Sequence, residues 1–197
     1  GRTVQRELDV DGAFEPHRVL HIARHALHAL GAAHAAGIVH RDIKPDNLLL
    51  MRVGDDADYT KVLDFGVAKL MEGAASSSQS ALAITQAGMV FGTPEFMSPE
   101  QACGQALDGR SDLYSLAATM FAMLTGRGMY SAVSAIDWLT AHARTPPPHL
   151  VDGKPDLEPY GELDRVLQQC LAKHKEQRPE NAGAMAAMLA AVEPTLE

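Results

Sequence analysis

Cysteine is scarce in this sequence, which carries only Cys103 and Cys170 among its 197 residues. The two positions do not have the spacing of a metal or redox motif, and two residues cannot build a disulfide framework. We therefore expect two reduced, buried thiols, with a regulatory disulfide as the alternative reading.

Clustered positive charge and long apolar runs are also missing. The formal net charge is −8, and Lys and Arg form no block. This argues against binding to nucleic acid or to an anionic membrane, because both need clustered positive charge.

No stretch approaches the roughly 20 apolar residues that span a bilayer. The start, Gly1-Arg2-Thr3, has neither a secretory signal pattern nor an initiator Met. We therefore expect a cytoplasmic protein without a membrane segment, and a chain that is a piece of a longer product.

The pattern of apolar and breaking residues predicts a mainly α domain with one small β-hairpin. A long helix is predicted from Pro16 to Gly37. The run from Ser111 to Thr125 is apolar almost all round, which is typical of a helix at the centre of a fold. Further helices are predicted near 134–144, 160–173 and 181–192. Two extended runs, 48–51 and 60–63, enclose a turn at 54–56 and form the hairpin.

Three motifs in a fixed order carry the chemistry. Residues 40–47 read HRDIKPDN and lie directly between a predicted helix and a predicted strand. Asp64-Phe65-Gly66 follows the second strand, and residues 92–100 read GTPEFMSPE. Together they resemble the catalytic loop, the metal-binding triplet and the end of the activation segment of the protein kinase family. The form of the motifs is most similar to bacterial members of the Ser/Thr class.

The resemblance covers nearly the whole chain and implies the large, C-terminal lobe of a protein kinase over residues 1–197. It places the catalytic loop at 38–47 and the activation segment at 64–100. It also implies ATP and Mg²⁺ as cofactors, and proteins with Ser or Thr hydroxyl groups as substrates.

The resemblance gives chemical roles to a few polar residues. Asp42 is expected to accept the hydrogen bond of the substrate hydroxyl, and Lys44 to place a cation beside the transferring phosphoryl group. Asn47 and Asp64 offer the hard oxygen ligands that Mg²⁺ prefers. Thr93 is expected to hydrogen-bond near Asp42 and Lys44. The residues assigned to ATP binding are Lys44, Asn47, Leu49 and Asp64.

A second group of residues is expected to act structurally. His40 and Phe65 are expected to pack in a column that Asp112 anchors. Glu100 and Arg178 are expected to form a buried bidentate ion pair, since the planar guanidinium suits a carboxylate. The alternative for this pair is two unrelated surface charges.

Arg41 and Thr85 are the expected regulatory residues. Kinases with an arginine before the catalytic aspartate often await a phosphate on the activation segment, because the phosphate gives that arginine a partner. Thr85 is the hydroxyl residue that we favour as the acceptor. The alternative is the serine run at 76–80.

The sequence lacks the parts that belong to a kinase small lobe. It has no Gly-x-Gly-x-x-Gly loop and no strand lysine for the phosphates. ATP is therefore expected to bind through a missing small lobe, and the chain alone is expected to be inactive. Two functions stay open: a working Ser/Thr kinase completed by a small lobe, or a kinase-fold module that binds protein partners without catalysis. Nine histidines are present, and we assign none of them to zinc.

Overall fold

The computed structural model describes residues 1–64 and 94–196, which form eight α-helices and one three-stranded sheet. The strands are β1 (Arg2–Thr3), β2 (Leu48–Val53) and β3 (Asp56–Val62). The helices are α1 (Val4–Asp11), α2 (Pro16–Ala35), α3 (Pro99–Ala102), α4 (Gly109–Thr125), α5 (Ala135–Arg144), α6 (Leu150–Gly153), α7 (Gly161–Cys170) and α8 (Ala182–Val192). Short 3-10 turns lie at Pro45–Asn47, Pro94–Phe96, Pro155–Tyr160, Lys175–Gln177 and Glu193–Leu196.

Helices α2 and α4 form the centre of the core. Pro16 begins α2 at a position where the missing N–H costs nothing, and the helix buries one apolar face. Helix α4 is buried almost all round from Ser111 to Leu124, as its sequence predicts. It ends at Gly126, whose φ of 72° is the left-handed conformation that glycine adopts without strain. Helix α2 packs against α4, α8 and β3, and α4 also contacts α6, α7 and α8.

The sheet brings the two chemical segments of the chain to one end. β2 pairs antiparallel with β3, and Leu48 lies opposite Val62. Asn47 directly precedes β2, and Asp64 follows β3 after one residue. The two residues therefore lie at the same end of the sheet. The main-chain N–H of Leu63 donates to the Asn47 carbonyl at 2.8 Å and closes this end.

The sheet and the N-terminal segment differ from the sequence prediction. β1 adds a third strand to the expected hairpin, because Arg2 and Thr3 pair with Leu50 and Leu49. The unpredicted helix α1 follows at once, since the Thr3 hydroxyl accepts a hydrogen bond from the Arg6 N–H and caps it. β3 begins at Asp56, which the sequence analysis placed in the turn.

The two cysteines differ in exposure. Cys170 is buried, but Cys103 is exposed, so the expectation of two buried thiols is wrong for Cys103. The physical reason is its position at the end of α3, where the chain turns outward at Gly104 with a φ of 64°. None of the helices formed by residues 1–64 and 94–196 is both long and apolar enough to cross a bilayer.

Candidate active site

The Asp112 carboxylate holds the backbone of the loop at His40 and Arg41. Asp112 lies in the first turn of α4 and is completely buried. Its two oxygens accept the main-chain N–H groups of His40 and Arg41, each at 2.8 Å. The His34 ring adds a third contact to Asp112, also at 2.8 Å. A rigid core helix therefore sets the position of the loop just before Asp42.

The His40 ring links the loop to the strand that precedes Asp64. His40 is fully buried, and its Nε2 lies 2.7 Å from the carbonyl oxygen of Leu63. The main-chain N–H of Asp42 donates to His40 Nδ1 at 3.2 Å. Since Nδ1 accepts this bond, the tautomer that satisfies both contacts carries its proton on Nε2 and donates it to Leu63.

Two polar side chains of the loop contact the same carboxylate oxygen of Asp42. Asn47 Nδ2 donates to Asp42 Oδ2 at 3.1 Å and to the Asp42 carbonyl at 2.7 Å. Lys44 Nζ lies 3.2 Å from the same Oδ2. The carboxylate is partly exposed, whereas Asn47 is buried. The loop thus presents an oriented carboxylate beside a cation, with the amide of Asn47 fixed in place.

Asp64 follows β3 and Leu49 lies in β2, and both residues are accessible to solvent. Asp64 is exposed and has a φ of 50°, a conformation that aspartate tolerates better than most non-glycine residues. Leu49 is half-buried and lies on the face of β2 opposite to that of the buried residues Leu48 and Leu50. Phe65, Thr85 and Thr93 lie outside the described residues.

Two oxygen donors here fit a hard divalent cation. The Asn47 amide nitrogen is committed to Asp42, so its orientation is fixed and its Oδ1 is available as a neutral ligand. Asp64 follows β3 at the same end of the sheet, and its exposed carboxylate would supply a charged ligand. Carboxylate and amide oxygens are the donors that Mg²⁺ prefers.

Arg41 is held in a strained backbone conformation with its side chain turned inward. Its φ is 69°, and its carbonyl accepts a hydrogen bond from Gln101 Nε2 at 2.8 Å. Among the residues that the structure describes, no partner contacts the buried Arg41 Nε. A buried guanidinium nitrogen with a hydrogen left to donate suits an anionic group.

Glu100 and Arg178 form a buried bidentate pair. The two guanidinium nitrogens NH1 and NH2 lie 2.7 and 2.8 Å from the two oxygens of Glu100. Ser111 Oγ also donates to Glu100 at 2.6 Å. Burial alone would raise the pKa of Glu100, but the hydrogen bonds from Arg178 and Ser111 outweigh it and lower that pKa. The pair ties α3 to the loop before α8.

His142, which the sequence did not single out, supports the segment that begins at Pro94. His142 is fully buried on α5, and its Nε2 contacts the Glu95 carbonyl at 2.8 Å while its Nδ1 contacts the Tyr114 hydroxyl at 3.1 Å. Burial, together with the charge of Lys173, lowers the pKa of His142 to about 4. The signal in the sequence was weak, because one histidine on an amphipathic helix is common.

The chain is similar to known protein kinases over nearly its whole length. The protein kinase domain family matches residues 1–189. The Ser/Thr-protein kinase pkn3 of Myxococcus xanthus is 37% identical over 193 residues, which are 98% of this chain and 35% of the relative. Pkn1 of the same organism is 43% identical over 150 residues, which are 76% of this chain and 20% of the relative. The chain therefore spans about a third or less of the length of these curated relatives.

Solved structures show the same fold. The crystal structure of the Mycobacterium tuberculosis PknI kinase domain superimposes with a TM-score of 0.67 at 24% identity, covering 98% of this chain and 62% of that one. The crystal structure of Rad53 1-466 in complex with AMP-PNP gives a TM-score of 0.73 at 21% identity, covering 100% of this chain and 44% of that one.

Proposed function

The chain belongs to the protein kinase family and is similar to bacterial Ser/Thr kinases. We therefore propose that it transfers the γ-phosphate of ATP to Ser and Thr hydroxyl groups of proteins. The observation that carries the proposal is the convergence of Asn47 Nδ2 and Lys44 Nζ on Asp42 Oδ2, at 3.1 and 3.2 Å. A module that only binds partners has no use for a carboxylate oriented in this way.

Asp42 and Lys44 would perform the steps that positioning can supply. The Asp42 carboxylate accepts the hydrogen bond of the substrate hydroxyl and aims its oxygen at the γ-phosphorus. Its main-chain anchors, through His40 and Asp112, keep this aim fixed. Lys44 stabilises the negative charge on the transferring group from the same side. The new P–O bond would form as the bond from the γ-phosphorus to the β,γ-bridging oxygen breaks, ADP leaves with that electron pair, and the hydroxyl proton passes to Asp42.

Asn47 and Asp64 would hold Mg²⁺, whose positive charge neutralises the phosphate oxygens of ATP. Leu49 would contribute an apolar surface to the nucleotide site, because it is half-buried on the open face of β2. The rest of the ATP contacts would come from a small lobe that carries a Gly-rich loop and a lysine. For this reason we expect the 197 residues alone to transfer phosphate poorly.

Regulation would involve Arg41 and Thr85. A phosphate on Thr85 would give the Arg41 guanidinium, whose Nε is buried, an anionic partner and so order the activation segment. Thr93 would hydrogen-bond near Asp42. Protein substrates and ATP would be met in the cytoplasm, as part of a signalling response.

The experiment measures phosphate transfer to a Ser/Thr peptide by the chain extended at its N-terminus with a kinase small lobe. Asp42→Asn preserves the shape of the side chain, and we expect it to lower kcat by roughly 10²- to 10⁴-fold with no change in melting temperature. Asp64→Asn is expected to abolish transfer. The matched control is Asp55→Asn in the exposed hairpin turn, which should behave as the parent does.

The outcomes distinguish a kinase from a partner-binding module and test the roles of Asp42 and Asp64. A folded parent protein that transfers no phosphate with any small lobe would favour the partner-binding module. Full activity in Asp42→Asn would show that the loop does not act on the substrate hydroxyl. Full activity in Asp64→Asn would remove that residue from the magnesium site.

A further inference from the structure

Two histidines of α2 and one aspartate of β3 form a cluster at the far end of the sheet. His21 and His25 are four residues apart on the helix, so their rings lie on one face. His21 Nε2 lies 2.9 Å from Asp56 Oδ1, and His25 Nε2 lies 3.7 Å from Asp56 Oδ2. One potential ligand atom from each residue falls within 4.8 Å of the other two. All three side chains are partly exposed, so an ion has a path from solvent.

The surrounding residues hold these three groups in place. The Asp58 main-chain N–H donates to Asp56 Oδ1 at 3.0 Å and fixes the carboxylate. The Thr60 N–H lies 3.2 Å from His25 Nδ1. The nearby cation Arg18 is already engaged by Asp58, through contacts of 2.9 and 3.1 Å. Arg18 therefore does not compete for Asp56.

We propose that His21, His25 and Asp56 bind a divalent transition metal ion, for which Zn²⁺ is the natural probe. Two imidazole nitrogens and one carboxylate oxygen form a donor set typical of Zn²⁺, Co²⁺ and Ni²⁺, whereas Mg²⁺ prefers oxygen ligands alone. In a tetrahedral zinc site, bonds of about 2.0–2.1 Å separate the ligand atoms by about 3.3 Å. The distances of 2.9 and 3.7 Å lie on either side of that separation.

Metal binding requires one rearrangement of protons. Both Nε2 atoms now face the Asp56 carboxylate, so each must lose its hydrogen before it can coordinate the ion. In each ring the proton moves from Nε2 to Nδ1, so the ring stays neutral and Nε2 is left free to bind the ion. Nδ1 of His21 faces the guanidinium of Arg24, which is exposed and free to turn into water. Nδ1 of His25 accepts a hydrogen bond from the Thr60 N–H at 3.2 Å, so metal binding would exchange that bond for one from Nδ1–H to water.

The site is separate from the candidate magnesium site. Asp56 begins β3 and Asp64 follows its other end. Seven extended residues at about 3.3 Å per residue place the two ends of β3 about 20 Å apart. A bound ion would join α2 to the tip of the hairpin, and so it would stabilise the fold without touching the catalytic loop.

The experiment titrates Zn²⁺ into the full 197-residue chain by calorimetry and records the visible spectrum with Co²⁺. We expect one Zn²⁺ per chain, a higher melting temperature with the metal, and the intense absorption of four-coordinate Co²⁺. Asp56→Asn keeps the Oδ1 acceptor for the Asp58 N–H and should weaken Zn²⁺ binding at least tenfold. His25→Ala should do the same. The matched control is His28→Ala, an exposed histidine on the same helix, and it should change the affinity less than twofold.

The variants also separate this site from loose binding to surface histidines. His17 and His28 are exposed on the same helix and can bind Zn²⁺ weakly without Asp56. Equal affinity in the parent and in Asp56→Asn would overturn the proposal, as would a parent chain that gives no four-coordinate Co²⁺ spectrum. If His25→Ala fails to fold, Asp56→Asn alone decides, because its circular dichroism should match that of the parent.

Discussion

Removing Arg178 should destabilise this protein far more than removing an ordinary surface arginine. Arg178 is only 4% exposed and uses all five of its N–H groups. Two of them reach Glu100, at 2.7 and 2.8 Å. The other three reach the carbonyl oxygens of Ala172, Arg110 and Lys173, at 2.8, 3.0 and 3.2 Å. Arg178→Ala removes all of these donors at once.

The size of the destabilisation follows from the Glu100 carboxylate, which loses its partner in Arg178→Ala. Glu100 is 3% exposed, and in Arg178→Ala its charge would stay buried with the Ser111 hydroxyl as its remaining side-chain donor within the described residues. Leaving one member of a buried ion pair unpaired costs about 3–5 kcal/mol. For a domain of this size each kcal/mol lowers the melting temperature by about 2–4 °C. We therefore expect a decrease of roughly 10 °C.

The assay is thermal unfolding of the parent and four variants by circular dichroism: Arg178→Ala, Glu100→Ala, the double variant and Arg165→Ala. The matched control is Arg165→Ala, because Arg165 is also ion-paired but is 72% exposed, with Glu162 57% exposed. An exposed pair is worth at most about 1 kcal/mol. The double variant Glu100→Ala/Arg178→Ala should be less destabilised than the sum of its single variants, since no orphaned charge is left. A melting temperature in Arg178→Ala equal to that in Arg165→Ala would refute the reasoning.

Two further predictions concern titration and regulation. The pKa of His142 is lowered to about 4 in the folded protein. Below about pH 6.5 the imidazole therefore binds a proton in the unfolded chain but stays neutral in the folded protein. Stability should therefore fall by about 3 kcal/mol as the pH drops from 6.5 to 4, and denaturant unfolding of His142→Gln should lack this part of the decrease. In the kinase completed by a small lobe, phosphopeptide mapping should find phosphate on Thr85, and Thr85→Ala should lower the rate. Modification confined to the serine run at 76–80 would contradict the second prediction.

The fold class could be predicted because its main signals are local and repeated. The kinase-like helical lobe is confirmed by the solved structures that share the fold. The continuous apolar run of α4 identifies a central helix without any knowledge of its neighbours. The Pro16 start of α2 is a similarly local signal. Helix α1 was missed because only Val4 and Leu8 mark its apolar face over eight residues.

Contacts between distant segments could not be predicted in this way. β1 consists of two residues, and its pairing with Leu49 and Leu50 depends on where the chain returns after α2. The His21–His25 spacing was visible in the sequence, but Asp56 comes from another element, so the third ligand was not. The roles assigned to Asp42 and Asp64 rest on the motif resemblance and stay predictions.

Asp112 explains how a loop with no regular structure can hold Asp42 accurately. The N–H groups of His40 and Arg41 lie outside any helix or strand and would be costly to bury unpaired. Asp112 satisfies both from the most buried helix of the core, so the loop cannot move without moving that helix. The same two bonds also hold Arg41 at its positive φ, a conformation that costs about 1–3 kcal/mol and persists only where its surroundings enforce it. The core therefore sets the position of the loop that contains Asp42, through the buried carboxylate of Asp112.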